Sequence, residues 1–251
     1  MLDYDGTLAP FRNDRRRAFP YPGISAVLQE IIRIGKTRVV IISGREANEV
    51  IPLLNIEPRP ELWGLHGLQR LKPDGSGELP RLDERTVSEL ARAADWLHDQ
   101  NLEDIAEFKE GSIAVHWRAL DESEVEQIRE RVLLGWRTLV KYTRLNLLEF
   151  DGGVEICAHK ADKGAAVQTV LNEMNPGTPA VYLGDDTTDE PAFQAVNGRG
   201  LSVLVRPRWR QTAAQLWLRP PEQILDFLAR WLKACDEPDA LSDHTAEAIN
   251  A

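Results

Sequence analysis

The chain has 251 residues, 43% hydrophobic and 28% charged, which suits one large or two modest domains and excludes a collagen-like or fully disordered chain. Its longest apolar run, Val39 to Ile42, falls far short of the ~20 residues of a membrane span, and no leader pattern opens it. The net charge of −10 opposes general nucleic-acid or anionic-membrane binding, which needs a cationic surface; taken alone, it also opposes a phosphorylated substrate. Cys157 and Cys235 lie far apart, form no metal-type pair and suit a reducing cytoplasm.

The chain reads first as alternating helices and strands. Ile24, Val27, Leu28, Ile31 and Ile32 recur at helical spacing, with Gly35 as a stop. Residues 37–42, TRVVII, form a β-branched run suited to a strand buried on both faces. A helix is expected over 46–54 and a strand over 62–65. Beyond residue 158 come a helix over 163–174, a strand over 180–183, a helix over 191–196, a strand over 201–205 and a helix over 224–232. This rhythm predicts an α/β fold with a doubly wound, Rossmann-like parallel sheet.

The middle differs. Residues 83–157 read as helix (86–97), two strands (105–108 and 113–117) around Glu110-Gly111, helix (123–134), then two more strands reversing at 151–153. That is α+β patterning inside an α/β chain. It predicts a discontinuous core of residues 1–82 and 158–235, an inserted cap of 83–157 and a disordered acidic tail of 236–251. Residues 73–77, PDGSG, mark the expected way into the cap.

Four segments share one chemical theme. Asp3 and Asp5 stand two residues apart before Gly6 and Thr7: one carboxylate can attack phosphorus while the other moves protons, although Asp and Gly also build plain turns. Asp185, Asp186, Asp189 and Glu190 follow the apolar strand 180–183 and form an oxygen-rich pocket that calls for a cation such as Mg²⁺. A helix N-terminus would welcome Asp189 and Glu190, but it leaves the Asp185-Asp186 pair unexplained. Ser43, Gly44 and Arg45 sit between strand and helix, as an oxyanion site or an ordinary cap. Lys163 opens a helix and is either a phosphate-binding point charge or solvated surface.

The order DxD, SG, K, GDDxxD resembles the motifs of the haloacid dehalogenase superfamily of phosphotransferases. More closely, LDYDGTLAP (2–10), ISGR (42–45), GLHG (64–67) and GDDTTDE (184–190) are similar to the trehalose-6-phosphate phosphatases, as are the cap segments EFKEGSIAVHWR (107–118) and GVE (153–155). The resemblance implies Mg²⁺-dependent hydrolysis of trehalose 6-phosphate through an aspartyl-phosphate. Asp3 would be the nucleophile and Asp5 the acid/base, with Thr7, Ser43, Gly44 and Lys163 around the phosphoryl group. Arg45, His66, Glu107, Lys109 and Glu155 would face the sugar. Asp3, Asp5 (through its carbonyl) and Asp185 would hold Mg²⁺, supported by Asp186 and Asp189. It further implies a cytoplasmic enzyme with a trehalose-6-phosphate synthase as pathway partner. A phosphatase for another glycosyl phosphate (sucrose phosphate, mannosylglycerate phosphate) and a non-catalytic sugar-phosphate sensor are the alternatives.

Two departures stand out. Only Met1 and Leu2 precede Asp3, so the first strand is clipped or unusually short, and Gln69 stands where the family often has an acidic residue. The charge also divides unevenly. Residues 1–82 carry 12 basic and 10 acidic side chains, 158–235 carry 9 and 8, the cap 9 and 17, and the tail none and 5. The core is close to neutral, and distant surface charge is screened, so the overall −10 does not bar an anionic substrate.

Overall fold

The computed structural model describes residues 1–12, 14–79, 81–118 and 120–237. Its elements, in chain order, are α1 (Ile24–Ile34), β1 (Val40–Ile42), α2 (Ala47–Leu54), β2 (Glu61–Gly64), β3 (Gln69–Leu71), β4 (Gly77–Glu78) and α3 (Glu84–Asp99). There follow β5 (Ala106–Lys109), β6 (Ser112–His116), α4 (Glu122–Val140), β7 (Leu145–Phe150) and β8 (Gly153–Ala158). The chain closes with α5 (Lys163–Asn172), β9 (Ala180–Gly184), α6 (Glu190–Val196), β10 (Gly200–Val205), β11 (Leu216–Leu218) and α7 (Glu222–Asp236). Because α7 runs through Asp236, the first residue of the expected tail is helical; residues 238–251 lie outside the described residues.

The opening residues knit the core sheet together. Leu2 bridges in parallel to both Ile41 and Leu183; its N–H donates to the Val40 carbonyl at 2.9 Å, and the Asp3 N–H donates to the Leu183 carbonyl at 2.8 Å. The sheet order is therefore β4-β3-β2-β1, the Leu2 segment, then β9-β10-β11. All strands are parallel except where β3 runs antiparallel to its two neighbours. Successive residues of β1 point to opposite faces. Ile41 joins Leu28, Ile31, Val50, Ile224 and Leu228 beneath α1, α2 and α7. Val40 and Ile42 join Val167, Val170, Phe193 and Val196 beneath α5 and α6. Each of these buried side chains contributes about 1.5–3 kcal/mol relative to exposure, so the doubly wound layering follows directly from the TRVVII run. Gly35 ends α1 in the left-handed region at φ 76°, where a side chain would be strained.

A second, fully antiparallel sheet has the order β5-β6-β8-β7. Helices α3 and α4 cover one face, burying Ala93, Leu97, Val132 and Trp136 against Ile113, Val115, Val154 and Ile156. Alternation sends the intervening residues the other way. Glu107 pairs with Ala114, which pairs with Glu155, so both carboxylates share the face turned toward the core. Residues 73–76 make the turn between β3 and β4, which Gly77 opens, with Lys72 N–H donating to the Ser76 carbonyl. They extend the core sheet instead of leading out of it. Strands β3, β4 and β11, two or three residues each, went unread because such lengths carry no periodicity.

Candidate active site

Carboxyl ends of parallel strands in an open α/β sheet converge on one crevice, and here they bring four separated segments together. Asp3 follows the Leu2 segment, Ser43 follows β1, His66 follows β2 and Asp185 follows β9. The resulting cleft, about 370 Å³, has Asp3, Asp5, Ser43, Lys163 and Asp185 on the core side and Glu107, Lys109, His116 and Glu155 on the cap side.

Lys163, at the start of α5, is the electrostatic centre. Its buried Nζ donates to Asp3 Oδ1 and to Asp189 Oδ1, both at 2.7 Å. Burial works to lower its pKa, but Asp189 and Asp3 override it and keep the ammonium charged. Burial pushes Asp3 up to about 7, with Lys163 opposing and Asp189 and Asp5 adding to the rise. Thr7 Oγ1 donates to Asp3 Oδ2 at 3.2 Å. Asp189 is lowered despite its burial, chiefly by Lys163. It also accepts from the Tyr182 hydroxyl at 2.7 Å and from the Asp185 and Asp186 N–H groups at 2.9 Å each.

Among the described residues, Asp3, Asp185 and Asp189 bring carboxylate oxygens within 4.8 Å of one another. The two oxygens of Asp189 are engaged by four protein donors. Among the described residues no hydrogen bond is donated to the Asp185 carboxylate, whereas its backbone carbonyl accepts from Arg206 Nη1 at 3.4 Å, and burial next to Asp3 and Asp189 raises its pKa well above the carboxylate range. A buried carboxylate in that setting requires a proton or a cation. An all-oxygen donor set with few carboxylates is the kind Mg²⁺ takes, and with Asp189 engaged by protein donors, Asp3 and Asp185 are the carboxylates that could hold such a cation. Gly6, at φ 84°, permits this approach, since a Cβ there would overlap the Asp185 carboxylate.

Asp5 is not in that carboxylate group. Arg45, buried, grips both of its oxygens, Nε and Nη2 each at 2.6 Å. Arg45, expected at the sugar, lines the cleft and spends its Nε and Nη2 on Asp5. Ser43 is buried and its Oγ accepts from the Arg45 N–H at 3.2 Å. Asp186 caps the turn that follows and reaches the cap, accepting from the Asp151 N–H at 2.7 Å.

On the cap side, Glu155 accepts from His66 Nε2 at 2.9 Å and pairs with Lys109 at 2.7 Å. Burial opposes ionisation of Glu155, but Lys109 and His66 hold it well below the usual range. Lys109 Nζ also donates to the Gly44 carbonyl at 3.2 Å. Glu107 accepts from His116 Nε2 at 2.8 Å and from Arg15. Gln69, the departure from the family pattern, accepts from the Ala47 N–H at 2.8 Å and so caps α2. Sequence reasoning missed Arg15, His116 and Arg118 as cleft residues. Alternation from Ile113 already placed His116 on the cleft face; a run of three arginines, 15–17, carries no such signal.

A model of the family described as trehalose-phosphatase matches residues 1–216. The probable trehalose-phosphate phosphatase C of Arabidopsis thaliana is 29% identical over 93% of this chain and 76% of its own length. The trehalose-phosphate phosphatase of Mycobacterium leprae is 31% identical over 92% of this chain and 56% of its own, so the chain spans little more than half of that relative. In solved structures, the C-terminal domain of the C. albicans trehalose-6-phosphate phosphatase superposes with a TM-score of 0.78 at 20% identity, covering 92% of this chain and 90% of that one. A haloacid dehalogenase-like hydrolase from B. subtilis gives 0.66 at 14% identity, covering 91% and 98%. At those identities the superpositions show a shared fold. The family model carries more, because it spans both the core strands and the cap: the chain belongs to the trehalose-phosphatase family of phosphoric monoester hydrolases.

Proposed function

We propose that this chain hydrolyses trehalose 6-phosphate to trehalose and phosphate, with Mg²⁺ bound and the phosphoryl group carried transiently on Asp3. The observation that supports it best is a buried Asp3 beside Lys163 and Asp185, roofed by the carboxylates and lysine of the cap. An Asp3 oxygen forms the new bond to phosphorus as the bond to the sugar oxygen breaks, and Asp5 gives that oxygen its proton. Asp5 then takes a proton from water as the water oxygen attacks phosphorus, releasing phosphate and restoring Asp3. To carry a proton, Asp5 has to give up one of its two bonds to Arg45. Lys163, the Ser43 hydroxyl and the Gly44 N–H offset charge on the transferring group. Asp3 and Asp185 would hold the cation, which would supply Lewis-acid polarisation at the phosphoryl group.

The cap carboxylates Glu107 and Glu155, with Lys109, offer acceptors and a donor to sugar hydroxyls. A synthase producing this phosphate ester would precede the enzyme in its pathway. No described helix is long and apolar enough to cross a membrane, and two free cysteines favour the cytoplasm. The test is phosphate release, with and without Mg²⁺, from trehalose 6-phosphate, sucrose phosphate, mannosylglycerate phosphate and phenyl phosphate. The expected result is Mg²⁺-dependent release with trehalose 6-phosphate strongly preferred. Preference for another glycosyl phosphate would reassign the substrate, and binding without release would make the chain a sensor.

A further inference from the structure

Arg15 has no part in the chemistry above, yet it touches both halves of the cleft. It opens a single 3₁₀ turn, Arg15–Arg17, whose far end is moored to the core by the buried Tyr4, which donates its hydroxyl proton to the Ala18 carbonyl at 2.7 Å. The front of the turn is capped by Asp14, whose carboxylate accepts from the Arg16 N–H at 3.1 Å, and is tied to the cap through the contacts of Arg15. Its guanidinium donates to Glu107 on cap strand β5, while its nearest other acid, the half-exposed Glu49, stands 3.9 Å away. Its backbone carbonyl accepts from Arg45 Nη1 at 2.8 Å. The other two nitrogens of that same guanidinium clamp Asp5.

We propose that Arg15 is a positioning residue that ties the seating of the cap to the placement of Asp5. The proposal rests on Asp5 as the proton carrier of phosphoester hydrolysis. The chain of contacts has four members: Glu107 fixes the Arg15 side chain, the Arg15 carbonyl fixes Arg45, and Arg45 orients the Asp5 carboxylate. His116 supports the cap end without competing for it. Burial, with Arg15 and Lys109 adding, lowers its pKa to about 4, so it meets Glu107 as a neutral N–H donor and leaves the ionic partnership to Arg15. When the cap lifts, Glu107 leaves with it, the front of the turn loses its tie to the cap, and Arg45 loses the acceptor that keeps it in place while Asp5 shifts to take a proton. Proton transfer is then efficient only with the cap seated. A displacement near 1 Å at a catalytic group costs up to about a hundredfold in rate.

The test is steady-state phosphate release by the full chain on trehalose 6-phosphate and on phenyl phosphate, whose leaving oxygen also needs a proton but carries no sugar. Arg15→Ala should lower kcat on both substrates by roughly ten- to a hundredfold, with KM changing less than about threefold. Arg15→Lys should restore much of that loss, since an ammonium can still meet Glu107. The Arg15→Ala/Glu107→Ala pair should be no slower than the slower single variant. Independently of turnover, Glu107→Ala should speed hydrogen exchange at Arg16, Arg17 and Ala18 while leaving the α3–α4 amides of the cap unchanged. A loss confined to KM for the sugar phosphate would make Arg15 a sugar contact and overturn the proposal. Unchanged kcat in an active background, or unchanged exchange at 16–18, would overturn it while leaving the phosphatase reading intact. A wild-type chain inactive on both substrates would overturn that reading, and this proposal with it.

Discussion

Substituting Gly44 by Ala probes the junction between core and cap with one methyl group. The backbone there is outside the left-handed region, so the change adds no conformational strain; the added Cβ would lie 2.7 Å from both Cε1 and Nε2 of His66. Ordinary contact needs ~3.5 Å, so the ring has to move by roughly 0.7–0.8 Å. The 2.9 Å bond from His66 Nε2 to Glu155 tolerates about 0.3 Å before leaving the hydrogen-bond range. Glu155 then keeps Lys109 alone. A hydrogen bond to a charged group contributes about 1.5–3 kcal/mol, which at ~1.4 kcal/mol per decade is roughly ten- to a hundredfold. If His66 and Glu155 serve the sugar, that factor should appear in kcat/KM for trehalose 6-phosphate, while phenyl phosphate turnover stays within about threefold. The assay is phosphate release on both substrates, with thermal unfolding to verify the fold. Equal losses on both, or no loss on either, would refute the assignment.

Three other outcomes follow from the same geometry. Burial pushes Asp3 up to about 7 and raises Asp185 as well, so cation binding at low pH must displace their protons; apparent Mg²⁺ affinity should fall steadily as pH drops below 7, as calorimetric titration across pH would show. Lys163→Met leaves Asp3 and Asp189 facing each other in a buried site, and removing one partner of a buried ion pair costs about 3–5 kcal/mol; denaturant unfolding should show that loss, and turnover should vanish. Trp136→Ala empties a fully buried position in the cap and should cost about 3–5 kcal/mol, and retention of wild-type stability by that variant would contradict the cap core described here.

The parts legible from the sequence were those where one residue run implies one environment. TRVVII suited a strand covered on both sides, and its last three residues form one, Val40–Ile42; the Asp185-Asp186 pair at a strand end was the part of the acidic run that a helix N-terminus left unexplained. Helix α4 shows the opposite case. A helix was expected over 123–134, whereas α4 continues to Val140. A Cβ at Gly135 would overlap the Trp96 ring, so this glycine serves close packing between α4 and α3, a tertiary cause with no local trace. The pairing of Arg45 with Asp5 was hidden for the same reason. Forty residues separate them, and only the adjacency of two strand ends brings them to 2.6 Å. Arg15 lay deeper still, since its role depends on a cap strand ninety-two positions away.

The most direct test of the account is to catch the phosphoryl group on the protein. Asp5→Asn, turning over p-nitrophenyl phosphate with Mg²⁺ present, should form the Asp3 adduct readily, because that leaving group needs little protonation, and should hydrolyse it slowly, because the base is gone. Acid quench followed by peptide mass spectrometry should then find phosphate on the peptide containing Asp3, and none in the Asp3→Asn/Asp5→Asn background. Active turnover by an Asp3→Asn enzyme, or phosphate release with Asp3 unmodified at every quench time, would contradict it.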